Sequence, residues 1–597
     1  MTTDHATGDV AQDQLTKNLA KIEALSQRLV TALAQHRQID PSLQAPGNDL
    51  FMRAASAYMN EMVRNPSKIL EHQISYWGKT LKHYVDAQHA LVGGQLKAPE
   101  DPTPVDRRFA GDLWRTHPYF NFIKQQYLFT SEAIARAVED IENIDPKDKR
   151  RLEYFSRQLV DMFSPANFLS TNPEALSKAV ETEGQSLVDG LENLVRDLET
   201  NNGDLVVTLA DKNAFSIGEN LATTPGEVVF RNRLFELIQY TPTTETVCRT
   251  PLLIFPPWIN KFYILDLKPQ NSLIKWIVDQ GYTVFVVSWV NPDPSYADTS
   301  METYIDEGFL TAIEQVKQIT REPKVNAIGY CIAGTTLALA LALMNRRGDR
   351  SVRSATFFTT LTDFSDLGEM GVFLDDDFLE AIEEEVTRAG ILDSFFMSRT
   401  FSFLRSNDLI YAPAIRNYMM GEAPPAFDLL YWNGDGTNLP ATMTIEYLRG
   451  LCQQDKFATS GFKLFGETLT LKDVDVPLCA IACETDHIAA WKASYNGVRQ
   501  MGSRQKSFVL SESGHIAGIV NPPSKKKYGH YTNDDMTLSP EAWQAGAEFH
   551  QGSWWPHWEA WLRRRSGAQV PARTPGDDAH PPLCPAPGRY VRPGSSL

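Results

Sequence analysis

The chain is 597 residues long, 43 % hydrophobic and 22 % charged, enough apolar material for two sizeable cores. Its 57 lysines and arginines against 74 aspartates and glutamates leave a net charge of −17, which argues against a nucleic-acid-binding face but leaves room for a local basic pocket. Six scattered cysteines without a CxxC pair suggest neither a disulfide framework nor a metal cluster and fit a reducing cytoplasm.

Met1 to Gln14 is polar and acidic, with no signal-peptide pattern. From Val10 to about Gln38, Leu15, Leu19, Ile22, Leu25, Leu29 and Leu33 recur at helical spacing. That amphipathic face suits packing on its own domain or on a second copy, and less readily contact with an apolar product surface. Helical patterns continue around Leu50–Met62, Lys68–Leu91, Asn121–Ile141 and Lys147–Met162, so residues 1–203 read as a mainly helical N-terminal domain.

The texture changes at Asn201-Asn202-Gly203. Leu205–Leu209, Glu227–Phe230 and Phe235–Tyr240 are β-rich. Pro251–Phe255, Thr283–Trp289, Lys324–Tyr330, Val352–Thr360, Val476–Cys483 and Lys506–Leu510 read as buried strands, with helices predicted over Gln270–Gln280, Thr303–Thr320, Ile332–Arg346 and Ala489–Met501. Such alternation predicts a parallel sheet covered by helices. The aromatic-rich stretch of about 361–472 breaks the rhythm and is expected to form a cap over the active site. Residues 204–565 thus form a catalytic α/β domain. The Pro/Gly-rich tail, 566–597, is expected to be extended or unstructured. The longest apolar run, Leu337 to Met344, is far short of the ~20 residues a membrane span needs.

The sharpest signal is Ile328-Gly329-Tyr330-Cys331-Ile332-Ala333-Gly334. A buried strand ends in a tight turn among small residues, and a helix starts at once. This is the setting of the nucleophile elbow of the α/β-hydrolase fold. The helix start places partial positive charge beside the sulfur, which favours a thiolate. Along such a chain the acid follows the nucleophile and the histidine comes last. Asp486 follows the strand Val476–Cys483, and His515, in Ser513-Gly514-His515-Ile516, follows the strand Lys506–Leu510. His487 competes with His515 only by proximity to the acid; Asp363 and Asp366 are the alternative acids. An oxyanion hole needs two backbone N–H groups. Ile332 supplies one. The other belongs in Pro256-Pro257-Trp258-Ile259-Asn260, where prolines are excluded, and Ile259 is favoured over Trp258 and Asn260.

With these residues placed, the chain closely resembles class I poly(3-hydroxyalkanoate) synthases from about Asp106 to Trp561. The shared words are Asp106-Arg107-Arg108-Phe109, Ser164-Pro165-Ala166-Asn167-Phe168-Leu169, Pro256-Pro257-Trp258-Ile259-Asn260-Lys261, Tyr431-Trp432-Asn433-Gly434-Asp435-Gly436-Thr437-Asn438-Leu439-Pro440, Ser513-Gly514-His515-Ile516 and Gly552-Ser553-Trp554-Trp555-Pro556. The resemblance implies an α/β-hydrolase fold with a cap behind a helical N-terminal domain, and a homodimer on polyester granules in the cytoplasm. It also implies polymerisation of (R)-3-hydroxyacyl-CoA, 3-hydroxybutyryl-CoA among them, on an acyl-cysteine. The family's Cys, Asp and His fall on Cys331, Asp486 and His515. No metal or cofactor is expected beyond the CoA thioester substrate. Trp258, Asn260, Trp432 and Asn438 are expected near the substrate, with Lys525, Lys526 and Lys527 as a patch for the CoA phosphates. Two departures stand out: Ala333-Gly334 where the family has Gly-Gly, and Ala482-Cys483 where Gly-Ser is common. The rival readings are a thioesterase or polyester depolymerase of the same fold, and a granule-coat protein without catalysis.

Overall fold

A computed structural model describes residues 4–34, 52, 56, 74–85, 106–142 and 144–592. The chain divides into two compact units, Met1–Asp211 with Phe401–Pro425, and Lys212–Thr400 with Ala426–Leu597.

The first unit is helical: α1 (Asp4–Leu33), α2 (Pro118–Glu139), α3 (Pro146–Met162) and α4 (Gln185–Thr200) are its long elements. Proline at the first turn of α2 and α3 suits a position whose N–H has no intrahelical acceptor, and the Asp145 side chain caps α3 through the Lys147 amide. The amphipathic face of α1 packs partly on α4, where Leu25 joins Val188 and Val195, while Leu19, Val30 and Leu33 stay exposed. The Leu50–Met62 pattern, apart from Met52 and Ser56, lies outside the described residues. Of Lys68–Leu91 the helical residues 74–85 are described.

The 401–425 segment, expected in the cap, belongs to this unit, and takes Phe401 and Phe403 with it. Asn193 Nδ2 donates to the Asn417 carbonyl at 2.9 Å, and the Tyr418 hydroxyl donates to Asp197 at 2.7 Å. Asp197 also takes the Thr208 amide and hydroxyl, so Leu205–Leu209 runs irregularly and is not the expected strand.

The second unit is built on an 11-stranded sheet. Its strands are β1 (Gly226–Arg231), β2 (Phe235–Tyr240), β3 (Leu252–Phe255), β4 (Val284–Trp289), β5 (Val325–Tyr330), β6 (Val352–Phe358), β7 (Leu478–Cys483), β8 (Lys506–Ser511), β9 (His530–Thr532), β10 (Glu548–His550) and β11 (Cys584–Pro585). Their order is β10-β9-β8-β7-β6-β5-β3-β4-β2-β1-β11. From β8 to β4 every neighbour is parallel, and antiparallel strands extend both edges. The unbroken apolar runs of β3, β4 and β7 follow from burial on both faces. The crossover helices are α5 (Leu273–Asp279), α6 (Thr311–Thr320), α7 (Ile332–Arg346) and α9 (Trp491–Gln500), with α8 (Asp376–Ala389) in the insertion and α10 (Trp555–Arg563) after the sheet. This is the α/β-hydrolase architecture expected from the alternation.

The tail corrects an expectation. Residues 566–592 are built into the unit: Gln569–Pro571 pairs with Thr246–Cys248, β11 closes the sheet edge on β1, and Tyr590 and Val591 are buried. Their proline and glycine content serves turns, with Gly576 at φ +78° and Gly588 at φ +84°. Among the described residues no helix is long and apolar enough to cross a membrane.

Candidate active site

Cys331 stands between the end of β5 and the start of α7 with φ 53° and ψ −123°, a strained backbone for a residue with a Cβ. Its amide donates to the Phe358 carbonyl at 2.8 Å, and Thr360 Oγ1 donates to its carbonyl at 3.2 Å. The flanking glycines exist because the strand and helix backbones nearly touch. A Cβ on Gly329 would lie 2.5 Å from the Gly334 Cα, and one on Gly334 would collide with the Thr360 side chain. Ala333, where the family has glycine, is fully buried without disturbing this turn. Cys331 itself is partly exposed. Burial pushes the thiols of Cys452 and Cys479 up to about 12, and those of Cys248, Cys483 and Cys584 up as well.

His515 follows β8 and Asp486 follows β7, on adjacent parallel strands. His515 Nδ1 meets Asp486 Oδ2 at 2.7 Å. Asp486 Oδ1 accepts the amides of Ile488 (2.8 Å) and Ala489 (2.9 Å), so the carboxylate is fixed before it meets the ring. The other ring nitrogen, Nε2, is left free of Asp486 on the ring that lies beside Tyr330 and Cys331. Burial alone would lower the imidazole pKa. The Asp486 carboxylate, hydrogen-bonded to the ring, and the neighbouring Cys331 outweigh burial and hold it well above the ordinary histidine value. Tyr330 stacks on the ring at 6.0 Å between centroids.

The alternatives separate on geometry. Asp363 is committed to Gln500 Nε2 and to the amide and hydroxyl of Ser365, while Asp366 takes the Gly368 amide. His487 is partly exposed, whereas His515 is 8 % exposed and bonded to Asp486.

The loop of His515 is held from behind. Gly518 packs so closely on Cys483 that a Cβ there would strike the sulfur. Its carbonyl accepts Trp554 Nε1 at 2.7 Å, and the Ile519 carbonyl accepts Trp555 Nε1 at 2.9 Å. The Gly552–Pro556 word therefore serves the base loop.

The oxyanion candidates divide similarly. Ile332, the first residue of α7, has an amide with no intrahelical acceptor. In the loop after β3 the Asn260 amide donates to the Pro257 carbonyl, whereas among the described residues the Trp258 and Ile259 amides have no protein acceptor. The loop is clamped by the Tyr431–Pro440 word. Thr437 N donates to the Ile259 carbonyl at 3.1 Å, Asn260 bridges to Gly436, and Trp432 Nε1 donates to the Lys261 carbonyl at 2.8 Å.

Trp432 is thus a brace for this loop. Asn438 is one too: its side chain donates to the Pro292 carbonyl and accepts the Ser394 amide. Trp258 is buried, its Nε1 donating to Thr336 and its ring against Tyr304 and Tyr447. Lys525, Lys526 and Lys527 are exposed. Tyr528 joins them to the base loop: its carbonyl accepts Asn521 Nδ2 at 3.0 Å, and Lys527 and then Ser513 hold its phenol below the usual range. Tyr447, missed in the sequence, is partly buried, its ring against Trp258 and Phe364. It sits in the irregular insertion, where no periodicity marks it. Among the described residues no group of three or more His, Cys, Asp or Glu is arranged to hold a metal ion.

A parallel sheet with a strained cysteine between β5 and its helix, and an acid after β7 and a histidine after β8, defines an α/β-hydrolase-fold enzyme. Residues 251–522 match the family model described as alpha/beta hydrolase fold, and residues 105–277 match that described as poly-beta-hydroxybutyrate polymerase (PhaC) N-terminus. The chain is 44 % identical to a poly(3-hydroxyalkanoate) polymerase of Methylorubrum extorquens, over 91 % of this chain and 90 % of that one. It is 41 % identical to the poly(3-hydroxyalkanoate) polymerase subunit PhaC of Rhizobium meliloti (89 % of each chain) and 42 % identical to that of Cupriavidus necator (82 % and 83 %). The chain belongs to the poly(3-hydroxyalkanoate) polymerase family.

Proposed function

We propose that this enzyme polymerises (R)-3-hydroxyacyl-CoA, with 3-hydroxybutyryl-CoA as a substrate, through an acyl thioester on Cys331. The observation that carries the reading is the His515 ring, hydrogen-bonded to Asp486 and stacked on Tyr330 next to the strained Cys331 at the elbow. In acylation the Cys331 sulfur attacks the thioester carbonyl, His515 takes the thiol proton, and CoA leaves as its thiol with that proton. One thioester replaces another, so the acyl group stays activated. In elongation His515 takes the proton of a 3-hydroxyl group. The oxygen attacks the acyl-cysteine carbonyl, an ester forms, and the Cys331 sulfur leaves and is reprotonated. The amides of Ile332 and Ile259 receive the oxyanion in both steps, a reading supported by their having no protein acceptor among the described residues. The chemistry asks for no metal or cofactor beyond CoA carried in on the substrate. Exposed Lys525, Lys526 and Lys527 beside the base loop suit the CoA phosphates. The exposed apolar residues of α1 suit a second copy of the chain or the granule surface, and a cytoplasmic enzyme on polyester granules fits both.

Incubation with 3-hydroxybutyryl-CoA tests the reading. CoA release with polymer is expected. CoA release with free hydroxy acid would make the chain a hydrolase, and no release would make it a coat protein.

A further inference from the structure

The loop that carries the Ile259 amide ends on a buried ammonium. Lys261 is 5 % exposed, and its Nζ donates to the carbonyl of Tyr590 at 3.3 Å, more than 300 residues along the chain. Burial pulls its pKa below the ordinary lysine value, against the opposing charge of Asp435. Asp435 accepts the Tyr263 hydroxyl at 2.9 Å and stands in the same word that clamps the loop.

Tyr590 is itself fixed from the other side. Its amide (3.0 Å) and that of Arg589 (2.7 Å) donate to Glu236 Oε2. Glu236 Oε1 accepts Arg231 Nε at 2.8 Å, and the Glu236 side chain is fully buried. The Tyr590 hydroxyl donates to the Asn232 carbonyl at 2.7 Å. At Gly588 a Cβ would strike the Glu236 carboxylate, so the segment meets this anchor through its bare backbone. A continuous line of contacts runs from Arg231 and Glu236 through residues 588–590 to Lys261.

We propose that the C-terminal segment is a positioning device for the oxyanion loop: Glu236 fixes Tyr590, and the Tyr590 carbonyl holds Lys261 and with it the Ile259 amide. Lys261 and Glu236 are positioning residues that touch no reacting atom. The inference rests on the assignment of Ile259 and Cys331 given above. Its physical basis is that a misplacement of about 1 Å in a catalytic group costs on the order of 10²-fold in rate. A buried ammonium locks a backbone carbonyl more firmly than an apolar side chain of the same length, because hydrogen bonds with a charged partner are roughly twice as strong as neutral ones.

The test is steady-state CoA release from 3-hydroxybutyryl-CoA by the full chain, comparing Lys261→Met, Glu236→Gln, the double variant and Cys331→Ala. Lys261→Met is expected to lose about tenfold or more in kcat with KM within about twofold, and Glu236→Gln several-fold in kcat alone. The double variant is expected to be no worse than Lys261→Met, because both act through one contact. A kcat for Lys261→Met within about twofold of the parent, or a double loss equal to the product of the single losses, would overturn the proposal. Should Lys261→Met fail to fold, Glu236→Gln decides: an unchanged kcat overturns the proposal and a several-fold loss supports it. If Cys331→Ala keeps its rate, the site assignment falls and this inference with it. If Cys331→Ala is silent while the two positioning variants are normal, this inference alone falls.

Discussion

The elbow concentrates strain on a single residue. A side chain at φ 53° is held there by the Phe358 carbonyl and by the close contact of Gly329 with Gly334. Alanine at Cys331 keeps the Cβ and the backbone, so Cys331→Ala is expected to stay folded by thermal melting and to release no CoA. Cys479→Ala and Cys483→Ala, changes in buried strand residues, are expected to keep much of the activity. Gly334→Ala pushes a methyl into Thr360 and is expected to cost about 1–3 kcal/mol in denaturant unfolding, with a fall in CoA release. Asp486 should divide its effect between the half-reactions. A thiol ordinarily ionises near pH 8.5, so acylation needs only modest help from a base. An alcohol is nearly as weak an acid as water, and elongation leans on an imidazole that Asp486 orients and whose charge it stabilises. Asp486→Asn is expected to slow elongation far more than acylation in rapid-quench experiments with labelled 3-hydroxybutyryl-CoA. Equal slowing of both steps would contradict this role.

At the scale of elements, the base loop depends on the two tryptophans behind it. Trp554→Phe removes the indole donor and leaves the Gly518 carbonyl with Ser511 Oγ as its donor, and a loss of about 0.5–1.5 kcal/mol in stability is expected together with a lower kcat. Nearby, His530 on β9 stacks on His550 of β10, and both lie within 6 Å of His557 on α10 between ring centroids. Burial, then the neighbouring His557 and His550 charges, push the His530 pKa down to about 4, against a bond to the Gly552 carbonyl. The folded value lies below the unfolded one, so the stability His530 contributes is present above about pH 6.5 and is lost as pH falls towards 4. His530→Gln is expected to flatten that acid limb in melts followed by circular dichroism; an unchanged limb would remove His530 from the account. These same elements mark where the sequence stops being legible. β3 to β8 announce themselves because burial on both faces leaves them mostly apolar and β-prone, and the elbow because small residues must flank a turn between strand and helix. β9, β10 and β11 are only two or three residues long and carry no such pattern. The tail looks unstructured from composition because its order comes from distant partners, Glu236 and Val228, that local propensity cannot see. Sequence marks Trp432 and Asn438 as unusual side chains but does not show that their polar atoms are bonded within the protein.

For the whole molecule, an acidic chain with a net charge of −17 must still receive a phosphate-bearing substrate. The exposed lysines at 525–527, tied to the base loop through Tyr528 and Ser513, offer the local exception. Neutralising all three is expected to raise KM for 3-hydroxybutyryl-CoA, more at low salt, since exposed charges are screened over about 8–10 Å at physiological ionic strength. An unchanged KM at low salt would remove the patch from the substrate path. The second unit supplies every residue of the proposed chemistry, which reduces the account to one claim: the growing acyl chain is carried on Cys331. The most direct measurement is mass spectrometry of the Cys331 peptide after acid quench of the Asp486→Asn enzyme mixed with 3-hydroxybutyryl-CoA. The account predicts a 3-hydroxybutyryl adduct on Cys331, labile to neutral hydroxylamine as a thioester is, and absent in Cys331→Ala. CoA release and polymer with Cys331 unmodified throughout, or the adduct on another residue, would contradict it.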